Sequence, residues 1–184
     1  VMQNRLPEAV TPFETMLRLR PDFAEGHMHM GCLQRDLGNH DLALNHLRRA
    51  LQLAPGLFGA AIFLANMLLH RGQLADAQKF YDQVLAKAPG NPEALAGKIS
   101  VLERQGDNDA AWKYLMQATG NSVITPDIAI MYAKLAPKRD RADHAKSLLR
   151  DLLSHPSWAP SQRQEMHFAL GALNDKTGDY DGAF

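Results

Sequence analysis

Residues 24 to 55 read AEGHMHMGCLQRDLGNHDLALNHLRRALQLAP, and the pattern of this stretch returns down the chain at one fixed spacing. Ala43 recurs as Ala77, Ala111 and Ala145, Gly38 as Gly72 and Gly106, and Pro21 as Pro55 and Pro89, every step being 34 residues. Self-similarity at such a period replaces the expectation of one globular core with a stack of like supersecondary units.

Within the unit, His27, Met30, Gly31 and Gln34 fall on one face of a helix, and Ala43, Leu47, Ala50 and Leu51 on one face of a second. Gly38-Asn39 separates them, where a residue tolerant of positive φ can end the first helix and Asp41 can cap the next. Gly31 and Ala43 are small because two antiparallel helices approach closely only where side chains are short. Pro55 ends the second helix by removing a backbone donor and clashing with the turn before it.

The small Gly31, the Gly38 turn, Ala43, the bulky Leu47, Ala50 and Pro55 resemble the tetratricopeptide repeat. Leu64-Ala65, Gly72, Ala77, Tyr81, Val84 and Pro89 fill the same places one unit later. Leu95, Ile99, Gly106, Ala111, Leu115 and Ala118 do so in the next. The resemblance implies an all-α fold, a right-handed α-solenoid of antiparallel helix pairs that binds a protein or peptide segment.

Composition is consistent with a packed chain that carries no strong field. Of 184 residues, 46% are hydrophobic and 22% charged, and 20 basic residues balance 20 acidic ones. Without a net positive field, nucleic acid and anionic membrane are not expected partners. Cys32 is the single cysteine, which excludes an internal disulfide and a cysteine-based zinc site and reads as a packing residue. That cysteine count leaves the compartment open and favours the cytoplasm, while no apolar run reaches membrane-spanning length and no charged start with an apolar signal core is present in these residues.

The chain reads as one solenoid fragment over 1–184. Residues 1–21 are the second helix of a truncated repeat, since Ala9, Phe13, Met16 and Pro21 keep register with Ala43, Leu47, Ala50 and Pro55. Regular repeats follow at 24–55, 58–89 and 92–121, with helix pairs near 24–37 and 41–53, 58–70 and 75–87, and 92–105 and 109–119. The repeat at 126–153 is aberrant, because Pro137 shortens its first helix and Asp140 replaces the turn glycine. A loop insertion at 154–161 shifts the step from Ala145 to Ala183 to 38 residues, and 162–184 form an incomplete last repeat. Trp158 in that loop is expected to tuck against the neighbouring helix pair.

No residue pattern suggests catalysis. His27 and His29 point to different helix faces and cannot share a metal, and the other six histidines are scattered. H-E-x-x-H, G-x-S-x-G and phosphate-cradling glycine loops are absent from the sequence. No cofactor or metal is expected. The basic run Lys134, Lys138, Arg139, Arg141 and Lys146 is broken by Asp140 and Asp143 and reads as a solvated face.

The family resemblance further implies a groove lined by fixed positions of each first helix. These are Glu25, Met28, His29, Cys32 and Arg35 in the first complete unit, and Gly59, Ile62, Phe63, Asn66 and Leu69 in the second. In the third they are Glu93, Ala96, Gly97, Ser100 and Glu103. Met28, Cys32 and Glu93 depart from the lysine, asparagine and arginine with which cochaperones of the family grip a terminal carboxylate. His29, Phe63, Gly97 and Met131 likewise depart from the asparagine ladder of O-linked N-acetylglucosamine transferases. The expected peptide groove is therefore apolar, lined by Met28, Cys32, Ile62, Phe63, Asn66 and Leu69, with Phe63 as anchor and Asn66 bonding the ligand backbone.

MHFALGALNDKTGDYDGAF, residues 166 to 184, is similar to the last repeat before the catalytic domain in bacterial proteins that join these repeats to a sulfotransferase. That resemblance implies a second role, the docking arm of an enzyme whose active domain follows. Val10, Phe13 and Leu17 on the unpartnered first helix should expose an apolar face, because terminal repeats need a polar cap. Concentration-dependent self-association through a terminus is expected in sedimentation, and a strict monomer at high concentration would contradict it.

Overall fold

The computed structural model describes residues 6–121 and 123–179, with the side chains of the first helix described from Val10 onward. These residues form ten α-helices and one 3-10 turn. The chain divides into two compact units, Val1–Ala88 and Pro89–Phe184. The first holds α1 (Leu6–Leu19), α2 (Ala24–Asp36), α3 (His40–Leu53), α4 (Phe58–His70) and α5 (Leu74–Lys87). The second holds α6 (Pro92–Arg104), α7 (Asn108–Gly120), α8 (Pro126–Leu135), the 3-10 turn (Ala136–Arg139), α9 (Ala142–Ser154) and α10 (Pro160–Thr177). The expected last-repeat residues Ala183 and Phe184 lie outside the described residues.

Helix pairs α2/α3, α4/α5, α6/α7 and α8/α9 pack as consecutive hairpins, and the same turn closes each first helix. A residue with positive φ follows the helix, and the next N–H returns to a carbonyl five residues back. The bonds run from Asn39 to Gln34 at 2.8 Å, Gln73 to Leu68 at 2.9 Å, Asp107 to Leu102 at 2.9 Å and Arg141 to Ala136 at 3.1 Å. Asp179 to Asn174, at 3.0 Å, repeats the bond after α10. This pairing satisfies a helix-end carbonyl that would otherwise be orphaned. Gly38, Gly72, Gly106 and Gly178 supply the left-handed residue, and in the aberrant repeat Asp140 takes it at φ 55°. Asp140 keeps the turn because a short polar side chain tolerates that region.

Inside each hairpin the repeat positions are sealed. Ala43, Ala77, Ala111 and Ala145 are wholly buried, as are Leu47, Tyr81, Leu115 and Leu149. A Cβ on Gly31 would lie 2.8 Å from Leu47 Cγ and 3.2 Å from the Ala43 carbonyl oxygen, so the close approach admits nothing larger than hydrogen there.

Three expectations need correction. Asp41 does not cap α3, which starts one residue earlier at His40 behind Asn39, whose amide is turned to the Gln34 side chain at 2.8 Å. Asp41 instead accepts from Arg71 at 2.7 Å, and that ion pair holds its carboxyl below the usual carboxylate range. Leu17 is not exposed: α1 lies on α2, and Leu17 joins Met30 and Leu33 in a cluster flanked by Val10, Phe13, Met16 and Leu37. Among the described side chains of α1, Leu19 is the large hydrophobic residue that is exposed. The insertion loop is also shorter than expected, since α9 runs through Ser154 and α10 begins at Pro160. Arg163 closes the loop by donating to the carbonyls of Leu153 and His155, each at 3.0 Å. Trp158 is half-buried there, with its indole nitrogen enclosed.

Among the described residues, no helix is long and apolar enough to cross a membrane.

Gly31→Ala should cost about 1–3 kcal/mol in a denaturant titration, because backbone and a buried leucine must both move. Asp140→Gly should leave stability equal or slightly higher, whereas Asp140→Val should lose about 1–2 kcal/mol by forcing a branched residue into the left-handed region.

Candidate functional site

The inner-face positions of the first unit come from α2 and α4, held side by side because α4 carries Gly59 opposite Met28. A Cβ at Gly59 would sit 3.1 Å from Met28 Sδ, so the glycine lets the thioether lie on the helix backbone. Met28 and Cys32 are half-buried one turn apart on α2. On α4, Phe63 is also half-buried, and the Arg35 guanidinium stands over its ring at 5.4 Å. Arg35 is itself fixed by Asp36 at 2.8 Å. A cation over an aromatic face leaves the ring edge as the contact surface.

The remaining three expected lining residues differ. Ile62 and Leu69 are only 9% and 7% exposed, so they belong to the packing beneath the face and add little to its surface. Asn66 is half-buried and accepts a hydrogen bond from the Tyr81 hydroxyl of α5, which commits the carbonyl end of its amide inside the hairpin. What α2 and α4 bring together is a thioether, a thiol and an aromatic ring beside one cation. Burial pushes the Cys32 thiol up from its ordinary value, against the pull of Arg35, which keeps it a neutral thiol at physiological pH.

The basic run does not converge on a ligand. Lys134 pairs with Glu103, Arg139 with Asp109 at 2.6 Å and the Asn108 carbonyl at 3.1 Å, and Lys146 with Asp179 at 2.7 Å. Each of these three cations is paired with a different neighbouring element. Arg139 also lies over the Trp112 ring at 5.0 Å. Among the described residues, no group of three histidine, cysteine, aspartate or glutamate side chains is arranged to hold a metal.

Two features escaped the sequence reading. Phe168 on α10 is 69% exposed. It stands 38 residues after Ile130 and so in the slot of Met28, Ile62 and Ala96, a register hidden by the loop insertion. His27 meets His46 across the α2/α3 hairpin, ring nitrogen to ring nitrogen at 3.1 Å. Gly31 meets the Ala43 carbonyl, and stepping one turn along both antiparallel helices, four residues back to His27 and three on to His46, would have found the pair.

Two family models, each described as tetratricopeptide repeat, match this sequence, one at residues 34–96 and 68–135 and the other at 2–58. The chain belongs to the tetratricopeptide repeat family. Cellulose synthase operon protein C of Pseudomonas fluorescens (strain SBW25) is 31% identical over 154 residues, covering 79% of this chain. The chain spans only 12% of that relative's length. Among solved structures, PilW, a type IV pilus biogenesis factor, superposes with a TM-score of 0.79 at 17% identity, covering 98% of this chain and 82% of that one. PilF of Pseudomonas aeruginosa gives 0.79 at 16% identity, covering 99% and 81%. YrrB, described as a tetratricopeptide repeat protein with an unusual peptide-binding site, gives 0.66 at 14% identity, covering 94% and 87%. At these identities the likeness is one of fold.

In this tetratricopeptide repeat chain, the Tyr81 hydroxyl joins the core slot of one helix to a groove-side position of the other. Tyr81→Phe should cost about 0.5–1.5 kcal/mol in stability, the ordinary worth of a hydrogen bond whose partner stays behind. Urea midpoints of the two proteins check it, and equal midpoints would show that the Asn66 bond carries no load.

Proposed function

We propose that this chain is a protein-interaction scaffold, which binds an apolar peptide segment along the α2/α4 face and performs no catalysis itself. The observation that carries the reading is the half-buried stripe of Met28, Cys32 and Phe63, kept level by Gly59 and bordered by Arg35. A thioether moulds to irregular apolar surface, and an aromatic ring offers a rigid anchor at small entropic cost. Ile62 and Leu69 support the stripe from beneath, and Asn66 contributes its remaining amide N–H groups at the edge. The residues in the face are poor acids, bases and nucleophiles, which supports binding without chemistry.

A second reading rests on the relative in the cellulose synthase operon. Its 31% identity over a short part of a much longer protein favours this chain as one part of a longer protein, acting as the non-catalytic docking arm of a polysaccharide-synthesising assembly. The two readings share one surface and differ in what occupies it.

A phage-displayed peptide library panned on the purified protein tests the proposal. Enriched peptides should be rich in apolar residues. Phe63→Ala and Met28→Ala should each weaken a selected peptide by about 1–2 kcal/mol, the ordinary range for a central interface residue, while circular dichroism stays unchanged. Asn66→Ala should weaken it less, because the amide carbonyl is already engaged by Tyr81. Affinity that survives both Phe63→Ala and Met28→Ala would refute the assignment.

A further inference from the structure

Six of the eight histidines, His29, His40, His70, His144, His155 and His167, are exposed, and only His27 and His46 are half-buried. These two face one another across the α2/α3 hairpin, Nδ1 to Nδ1 at 3.1 Å with ring centroids 5.3 Å apart. The far nitrogen of His27, Nε2, lies 3.2 Å from the carbonyl oxygen of Pro21 in the turn between α1 and α2. A carbonyl only accepts, so His27 Nε2 carries a hydrogen. In the neutral ring Nδ1 is then bare, and the hydrogen between the rings belongs to His46 Nδ1. Three segments are tied by this chain of two bonds: the α1–α2 turn, α2 and α3.

The contact has room for one proton. If His27 becomes a cation, its Nδ1–H can donate to His46 Nδ1 only after the His46 hydrogen moves to Nε2. A further proton on His46 sets two N–H groups head to head and breaks the bond. We propose that the His27–His46 contact is a proton-sensitive clasp, closed with one shared hydrogen and opened by the second proton, which breaks the side-chain bond between α2 and α3 and leaves the His27 bond to Pro21 in place. α2 also carries Met28 and Cys32, so the clasp sits on the helix that presents them.

The surroundings offer the second proton no compensation. Arg20, in the turn, is drawn over the Phe23 ring at 4.8 Å, and Asp22 and Glu25 are exposed. On α1, Glu14 and Arg18 are exposed, and α4 brings only His70, exposed at its end. On α2, Arg35 and Asp36 pair with each other. On α3, Asp41 is paired with Arg71 from beyond the end of α4, Arg49 reaches Gln52, and His40 and Arg48 are exposed. Of these groups, only His27 acts on His46 electrostatically, and burial together with that neighbour holds the His46 imidazole below its ordinary value. A folded-state value below the unfolded one gives stability that is full above the ordinary histidine range, about 6.5, and is lost as pH falls through it.

Urea midpoints of the wild-type chain and of His46→Gln, measured from pH 7.5 down to pH 5, test the clasp. Glutamine can still donate an amide hydrogen to His27 Nδ1 but cannot take up a proton. The wild-type midpoint should fall across this interval more steeply than the variant's, which has no His46 ring to protonate. Parallel curves would overturn the proposal. Imidazole 15N shifts of the wild-type protein at pH 7.5 give a second reading that does not depend on a variant folding. They should show His27 with hydrogen on Nε2 and His46 with hydrogen on Nδ1, the tautomer less common in free histidine. Hydrogen on Nε2 in His46 at that pH, with an ordinary titration midpoint, would equally overturn it.

Discussion

The close approach of two helices at paired small residues is the constraint on which each hairpin depends. Where Gly31 faces Leu47 and the Ala43 carbonyl, the absence of a side chain lets the helices touch backbone to side chain. Distance sets the rest. Because the gap is fixed, the residues one turn away, Leu47 and its equivalents Tyr81, Leu115 and Leu149, are wholly enclosed. Burial of that kind is worth roughly 1.5–3 kcal/mol per large apolar side chain, and it recurs in every hairpin. Such a chain gains stability unit by unit.

The same geometry produces the face proposed to bind. A first helix that spends its Gly31 side on its own hairpin partner turns Met28 and Cys32 elsewhere, and Gly59 lets α4 come close enough to extend that surface to Phe63. Apolar residues stay half-exposed there because the hairpin core is already satisfied by other positions. In the second unit the corresponding slots hold Ser100, whose hydroxyl turns back to the Ala96 carbonyl, and Glu103, which is paired with Lys134. On α6 that surface is polar and internally matched, which favours α2 and α4 over α6 for an apolar ligand.

Helix limits were legible in the sequence to within one or two residues, because Gly38, Gly72 and Gly106 act through backbone geometry that no tertiary context overrides. Asp140 read as the loss of the turn glycine, yet it takes the same left-handed conformation, because a short polar side chain tolerates it. The groove was legible in register but not in depth. Periodicity places Ile62 and Leu69 on the side of Phe63, yet how far each lies beneath the surface depends on neighbours that one helix does not reveal. Asn66 presented the same difficulty, since its partner Tyr81 lies 15 residues away on the other helix of the pair. Leu17 was misjudged because α1 was read as unpartnered and its packing on α2 was not counted. The His27–His46 contact needed an alignment of two helices against each other, which a single-helix reading does not attempt.

The central claim is that a ligand lies across α2 and α4, and backbone amide shifts by NMR test it most directly. On adding a selected apolar peptide, the account predicts perturbations concentrated at Met28, Cys32, Arg35, Gly59 and Phe63. The opposite furrow formed with Arg48, Leu51, Pro55 and Phe80 should stay still. Shifts centred on that furrow, with Met28 and Phe63 unmoved, would contradict it.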